Sequence, residues 1–157
     1  MTKQDFEFLR KSIKLACDSI RAEGGPFGAI IVKENTVIAT GQNSVVSKHD
    51  PTAHAEIQAI RAACGALQTH DLSGCTIYTS CEPCPMCLGA IYWARLDGVY
   101  YGASRKDACN AGFDDEFFYD QIGLEPSERR VPFTRALNEE ALAPFREWLE
   151  NENKVPY

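Results

Sequence analysis

Phe8, Ile13, Ala16 and Ile20 recur at helical spacing between Asp5 and Ala22, and Gly24-Gly25-Pro26 stops the pattern, so the first predicted element is a helix. The apolar run Phe27 to Val32 and the run Thr36 to Thr40 flank Glu34-Asn35, which predicts two strands joined by a tight hairpin. A polar loop fills Gly41 to Pro51. Ile57, Ile60 and Cys64 then share a stripe that predicts a helix over Thr52 to Cys64, and Gln68 to Gly74 leads into a strand at Cys75 to Thr79. A further helix runs from Cys84 through Leu88 and Ile91 to Trp93, followed by a buried strand at Val99 to Gly102 and a short aromatic turn or helix at Asp114 to Tyr119. Val131 to Leu137 is predicted as a last strand, at an edge because it carries Pro132. Glu140 to Glu150 is helical in character and broken at Pro144. This alternation predicts an α/β fold with three layers, α/β/α, around a central mixed sheet of about five strands, in a single domain over residues 1–157.

The composition, 45% hydrophobic and 24% charged over 157 residues, is that of a globular protein with a sizeable core. Charged residues interleave the first twenty positions and eighteen apolar residues never run together, so neither a signal peptide nor a membrane span is expected and a cytoplasmic protein is. The formal net charge of −6 lacks the cationic footprint that draws nucleic acid. Between Ser104 and Arg130, Asp107, Asp114, Asp115, Glu116, Asp120, Glu125 and Glu128 outnumber Arg105, Lys106, Arg129 and Arg130. Nucleic-acid and membrane partners are therefore not expected, and a small molecule is.

Seven cysteines form an odd, scattered set, which favours metal and buried thiols over a disulfide framework. Cys17, Cys64 and Cys75 lie in apolar segments and are expected in the core, whereas Cys109 is assigned neither way. The chemistry lies in His54-Ala-Glu56 followed by Pro83-Cys84-Pro-Met-Cys87, the H-x-E and P-C-x-x-C signature of zinc nucleobase deaminases. His54, Cys84 and Cys87 are the three candidate ligands to one Zn²⁺ per subunit, and a catalytic zinc keeps its fourth position open for water. Glu56 is the candidate proton shuttle. Cys84 and Cys87 share a face of a helix's first turn, where free N–H groups and the peptide dipoles favour thiolates. His54 and Glu56, two apart, meet one target only at a helix mouth, which Thr52 as N-cap allows; a helix starting at Pro51 with Asp50 as cap would swing His54 away. The competing use of these residues is a structural zinc module closed by Cys81. His49 and His70, in polar loops, are expected to be solvated.

Pro51-Thr-Ala-His54-Ala-Glu56 together with Thr79-Ser-Cys-Glu-Pro83-Cys84-Pro-Met-Cys87-Leu-Gly-Ala-Ile-Tyr-Trp93-Ala resembles the cytidine-deaminase superfamily over nearly the whole chain. Gly25-Pro-Phe27-Gly-Ala, Ala111-Gly-Phe-Asp114-Asp115 and the terminal Tyr157 look most like its small bacterial guanine deaminases. That resemblance implies hydrolysis of guanine to xanthine and ammonia, zinc on His54, Cys84 and Cys87, proton transfer by Glu56, and a purine held by Phe27, Asn43, Asp115 and Tyr157. It also implies a homodimer in which the tail, about 139–157, is swapped between subunits. The chemistry of the side chains suits these roles: a carboxylate such as Asp115 accepts from guanine N–H groups, an amide such as Asn43 donates to O6, and Phe27 offers a stacking face. Read on their own, Phe27 fits a core as well as a platform, Asn43 fits a turn, and Asp114 and Asp115 are not separable. A tRNA adenosine deaminase, and a guanosine, cytosine or triazine deaminase, are the alternatives within the same chemistry. Guanine carries its amine on C2, where the signature's familiar substrates react at C4 of cytosine or C6 of adenine, so the base must sit differently over the metal. Asp115 is the candidate for enforcing that pose.

Overall fold

A computed structural model describes residues 1–156, in two compact units, Met1–Asp115 and Glu116–Tyr157. In the first, helix α1 (Lys3–Arg21) opens on a capping box in which the Thr2 hydroxyl accepts from Asp5 N–H and the Asp5 carboxylate accepts from Thr2 N–H at 2.6 Å. Strands β1 (Gly28–Lys33) and β2 (Thr36–Gln42) form an antiparallel hairpin. Glu34 and Asn35 both take positive φ, 48° and 61°, the left-handed pair whose twist matches a two-residue hairpin. The short α2 (Val45–Lys48) interrupts the expected loop; α3 (Ala55–Leu67), β3 (Cys75–Cys81), α4 (Pro85–Trp93), β4 (Gly98–Ala103) and α5 (Arg105–Asn110) follow.

The sheet is mixed, in the order β2-β1-β3-β4, with β3 and β4 parallel and the other pairs antiparallel. Strand alternation sorts its side chains to two faces. Ala29, Ile31 and Ile77 pack with Ala55, Ala59, Ile60 and Ala63 of α3 and with Ile91 and Ala94 at α4, while Ile30, Val32 and Tyr78 pack with Phe8 of α1. Helix, sheet and helix make the three layers expected.

Two helices lie so close to the sheet that only small residues fit between. A Cβ at Gly28 would sit 2.6 Å from Ala16 N, and one at Gly41 would sit 2.5 Å from Ala59 N and collide with the Ala55 carbonyl. This closeness corrects the expected stripe of α1: Phe8, Ser12, Ala16 and Ser19 are buried, whereas Ile13 and Ile20 are exposed, as is Cys17. Ser12 tolerates burial because its hydroxyl donates to the Leu9 carbonyl at 2.8 Å. Cys75 is buried as expected, and Cys64 is half-buried.

The second unit holds α6 (Glu116–Ile122), 3₁₀ turns at Pro126–Glu128 and Glu140–Leu142, and α7 (Ala143–Glu150). Pro144 opens α7 rather than breaking it, because a first-turn N–H has no helical partner to lose. The expected fifth strand does not form among the described residues, and the sheet has four strands. Pro132 lacks the N–H a ladder needs, and beside it the Arg129 guanidinium stacks over Phe133, 4.9 Å from the ring centre. None of the described side chains of this unit is buried; Val131, Phe133, Leu137, Phe145 and Leu149 are all exposed. No helix of the described residues is long and apolar enough to cross a membrane.

Candidate active site

The site lies where α3 and α4 begin. Neither cap expected for α3 is used: Thr52 gives its N–H and its hydroxyl to the Asp50 carboxylate, at 2.8 and 2.7 Å, and these form a tight turn ahead of the helix. His54 itself is the N-cap, extended at φ −67° and ψ 156°, and its imidazole makes no capping bond. Cys84 caps α4 in the same conformation, φ −67° and ψ 168°, with Pro85 entering the first turn and Cys87 one turn on. An extended cap projects its side chain over the end of its helix, so the two caps face each other. Cys84 Sγ lies 3.5 Å and Cys87 Sγ 3.6 Å from His54 Nδ1. The three ligand atoms fall within 4.8 Å of one another, the one such group among the described residues.

The donors fit zinc. Ligating thiols must be deprotonated, and the Cys84 thiol is held down at about 4 by hydrogen bonds from Cys87 and then His54. The shared proton leaves the buried Cys87 on the opposite side, pushed up. The thiolate beside it raises His54. Two sulfurs and one imidazole nitrogen suit zinc's borderline softness and would supply three of the four ligands it usually takes.

Cys81 stands apart from this group. It is buried, donates to the Ser104 carbonyl at 3.6 Å, and is pushed up to about 11, chiefly by burial. His49 and His70 are exposed in loops, as expected.

Glu56 follows His54 in the first turn of α3 and is 4% exposed, unusual for a carboxylate. Burial is the largest cause that lifts it above the ordinary carboxylate range, followed among the raising effects by the Cys84 charge. Its Oε1 accepts from the Thr79 hydroxyl at 3.2 Å and its Oε2 lies 3.5 Å from Cys87 Sγ. Thr79 was not singled out among the sequence candidates, although alternation along β3 places it on the same face as Cys75, Ile77 and Cys81.

Among the other expected site residues, Asn43 Oδ1 accepts from the Gly25 and Val45 N–H groups, each at 3.3 Å. Its oxygen is thereby committed to the loops on either side. Phe27 is half-buried and meets Phe113 edge to face with ring centres 4.9 Å apart. Phe113, 43% exposed, is a second aromatic that the sequence reading assigned no role. The two neighbouring acids also separate. Asp114 is exposed, whereas Asp115 is half-buried and raised first by burial and then by the Cys84 thiolate, which places Asp115 in the field of the metal ligands. Tyr157 lies outside the described residues.

Residues 2–103 match the model of the cytidine and deoxycytidylate deaminase zinc-binding region. The chain belongs to this zinc-binding deaminase family. It is 52% identical to the guanine deaminase of Bacillus subtilis (strain 168) over 151 residues, 96% of this chain and 97% of that one. The X-ray structure of guanine deaminase from Bacillus subtilis superposes with a TM-score of 0.95 at 51% identity, covering 100% of this chain and 99% of the other. A tRNA-specific adenosine deaminase of Buchnera aphidicola subsp. Baizongia pistaciae (strain Bp) is 41% identical over 107 residues, 68% of this chain and 66% of its own. Guanine deaminase from Nitrosomonas europaea matches with a TM-score of 0.66 at 35% identity, covering 77% of this chain and 66% of that one. Membership in the zinc-binding family agrees with the ligand set built above from caps and distances.

Proposed function

We propose that this zinc-dependent aminohydrolase converts guanine and water to xanthine and ammonia. The observation that carries the substrate is the 52% identity to a guanine deaminase over 96% of the chain. The charge of −6 weighs against the tRNA substrate of the adenosine-deaminase relatives. Cys81, hydrogen-bonded to Ser104, weighs against a closed structural site.

Zinc, when bound by His54, Cys84 and Cys87, supplies Lewis acidity that makes water a nucleophile near neutral pH. The chain's own side chains then determine the outcome. Glu56 takes a proton from the attacking water and passes protons to the base as the C2–O bond forms and the C2–N bond breaks, so that the nitrogen leaves as ammonia. Burial suits it to this task, because a carboxyl with a raised affinity for protons both accepts and returns them near neutrality. Asn43, its oxygen tied to the loop, donates to O6, and Asp115 accepts from ring N–H groups. Phe27 stacks on the base, with Phe113 against its edge.

The enzyme works as a homodimer whose segment 139–157 crosses to the partner and brings Tyr157 to the partner's base. The reading is supported by a second unit that buries none of its described side chains, since apolar surface of that kind calls for a cover. Its place is the cytoplasm, where the ligand thiols stay reduced.

The test of the substrate is ammonia release from guanine, guanosine, cytosine, adenine and tRNA, compared at equal enzyme. Guanine is expected to lead. Preferred turnover of tRNA adenosine, or none of guanine, overturns the assignment.

A further inference from the structure

We infer that Thr79 is a positioning residue that pins Glu56 Oε1 to the sheet and leaves Oε2 as the oxygen that carries protons, an inference resting on the deaminase reading of this site.

The Thr79 hydroxyl is fully buried and donates to Glu56 Oε1 at 3.2 Å, while Oε2 faces the ligand group, 3.5 Å from Cys87 Sγ. The two oxygens of one carboxyl therefore have different surroundings. Thr79 is itself held from both sides, because β3 pairs at this residue with Ala29 of β1 and with Tyr101 of β4. A donor fixed in the middle of a sheet is a rigid reference. Glu56, by contrast, reaches the site through three side-chain torsions from the first turn of α3, where its own backbone N–H also bonds the carboxylate. The Thr79 bond to Oε1 is the restraint that ties the carboxyl to the sheet and, with the backbone N–H, sets its plane.

Proton transfer requires the accepting oxygen within hydrogen-bond reach of the reacting atoms, and errors near 1 Å are costly. With Thr79 in place, the proton taken from water sits on Oε2 and returns from Oε2 to the substrate nitrogen. Without the hydroxyl the carboxyl loses its fixed plane and Oε1 is left without this donor in a buried site. The ligands His54, Cys84 and Cys87 do not depend on Thr79.

The test compares Thr79→Val, which keeps the branched shape and removes the hydroxyl, with Thr79→Ser, which keeps the hydroxyl. Steady-state kinetics on guanine are measured alongside zinc content. Thr79→Val is expected to lower kcat by about 10- to 100-fold, within the range a displaced acid–base group gives, with KM and zinc stoichiometry little changed. Thr79→Ser is expected to stay within about threefold of the parent, since its donor survives. An unaltered kcat in Thr79→Val overturns the inference, as does equal loss in the two variants or a loss confined to KM. If Thr79→Val does not fold, Thr79→Ala carries the same comparison. A parent enzyme that hydrolyses another base but not guanine overturns the substrate, and the kcat comparison is then read on that base.

Discussion

Cys84 Sγ and His54 Nδ1 lie 3.5 Å apart although 30 residues separate them in the chain, and each projects from the N-cap of its own helix. Because metal affinity here also joins α3 to α4, losing one ligand affects both chemistry and stability. Cys84→Ala is expected to purify with well under one zinc per chain, to lose turnover to background, and to gain no thermal stability from added zinc. Plasma spectrometry and thermal unfolding with and without a chelator check this. Retention of a full zinc complement would remove Cys84 from the ligand set.

Glu56→Gln keeps the shape of the side chain and abolishes its capacity to hold and release a proton. The variant is expected to bind zinc fully while kcat falls by about 10²- to 10⁴-fold, the usual contribution of a placed acid–base group. Metal analysis beside ammonia release separates the two effects. Turnover near that of the parent contradicts the assignment of the shuttle.

Gly41 sets how closely α3 approaches β2, since any Cβ there meets Ala59 N at 2.5 Å and the Ala55 carbonyl. Both contacts are backbone, and Ala55 directly follows His54. Gly41→Val is therefore expected to destabilise the fold by about 1–3 kcal/mol, as overpacking does, and to weaken zinc binding by shifting the His54 cap. Denaturant unfolding and competition with a chelator measure the two effects. Loss of stability with unchanged metal affinity would mean that the helix yields without moving its first turn.

On the dimer reading, Tyr157 contributes to the partner's site but not to the partner's core. Deleting it is expected to reduce kcat/KM by about 10-fold, comparable to one hydrogen bond or ring contact, with little change in thermal stability. Light scattering of the intact protein should give twice the chain mass of 17.4 kDa. A monomer of full activity excludes the swapped tail.

The layers and the metal ligands were legible because their signals are local. Short apolar runs bounded by turn residues give β1 and β3, and a cysteine pair spaced by three after a proline gives the start of α4. What failed was tertiary. Ile13 and Ile20 mark a stripe that the fold leaves outside, because α1 lies against Gly28 through Ser12, Leu15 and Ala16. Capping preferences favour Thr52, yet its hydroxyl is taken by Asp50 and the helix starts two residues after His54's predecessor, at Ala55. Strand pattern at 131–137 predicts a partner that the described residues do not provide. The bond from Thr79 to Glu56 spans 23 residues, and no local rule reports it.

On the opposite face of the sheet, the α1 side, the buried Tyr78 donates its hydroxyl to Asp5 Oδ1 at 2.7 Å. Asp5 is held below its ordinary 3.8, first by Thr2 N–H and next by this hydroxyl. A carboxyl whose folded pKa is depressed favours the folded state fully above the unfolded value, and the benefit disappears as pH falls through the folded value. Tyr78→Phe is thus expected to be less stable than the parent at pH 7, with a gap that is constant down to about pH 4, near the unfolded Asp value, and closes below it. Urea midpoints measured across pH 2.5 to 7 check the shape of this curve. A gap that persists unchanged at the acid end would mean that the loss comes from the hydroxyl whatever the charge on Asp5, since phenylalanine keeps the ring packing against Phe8 and Tyr100.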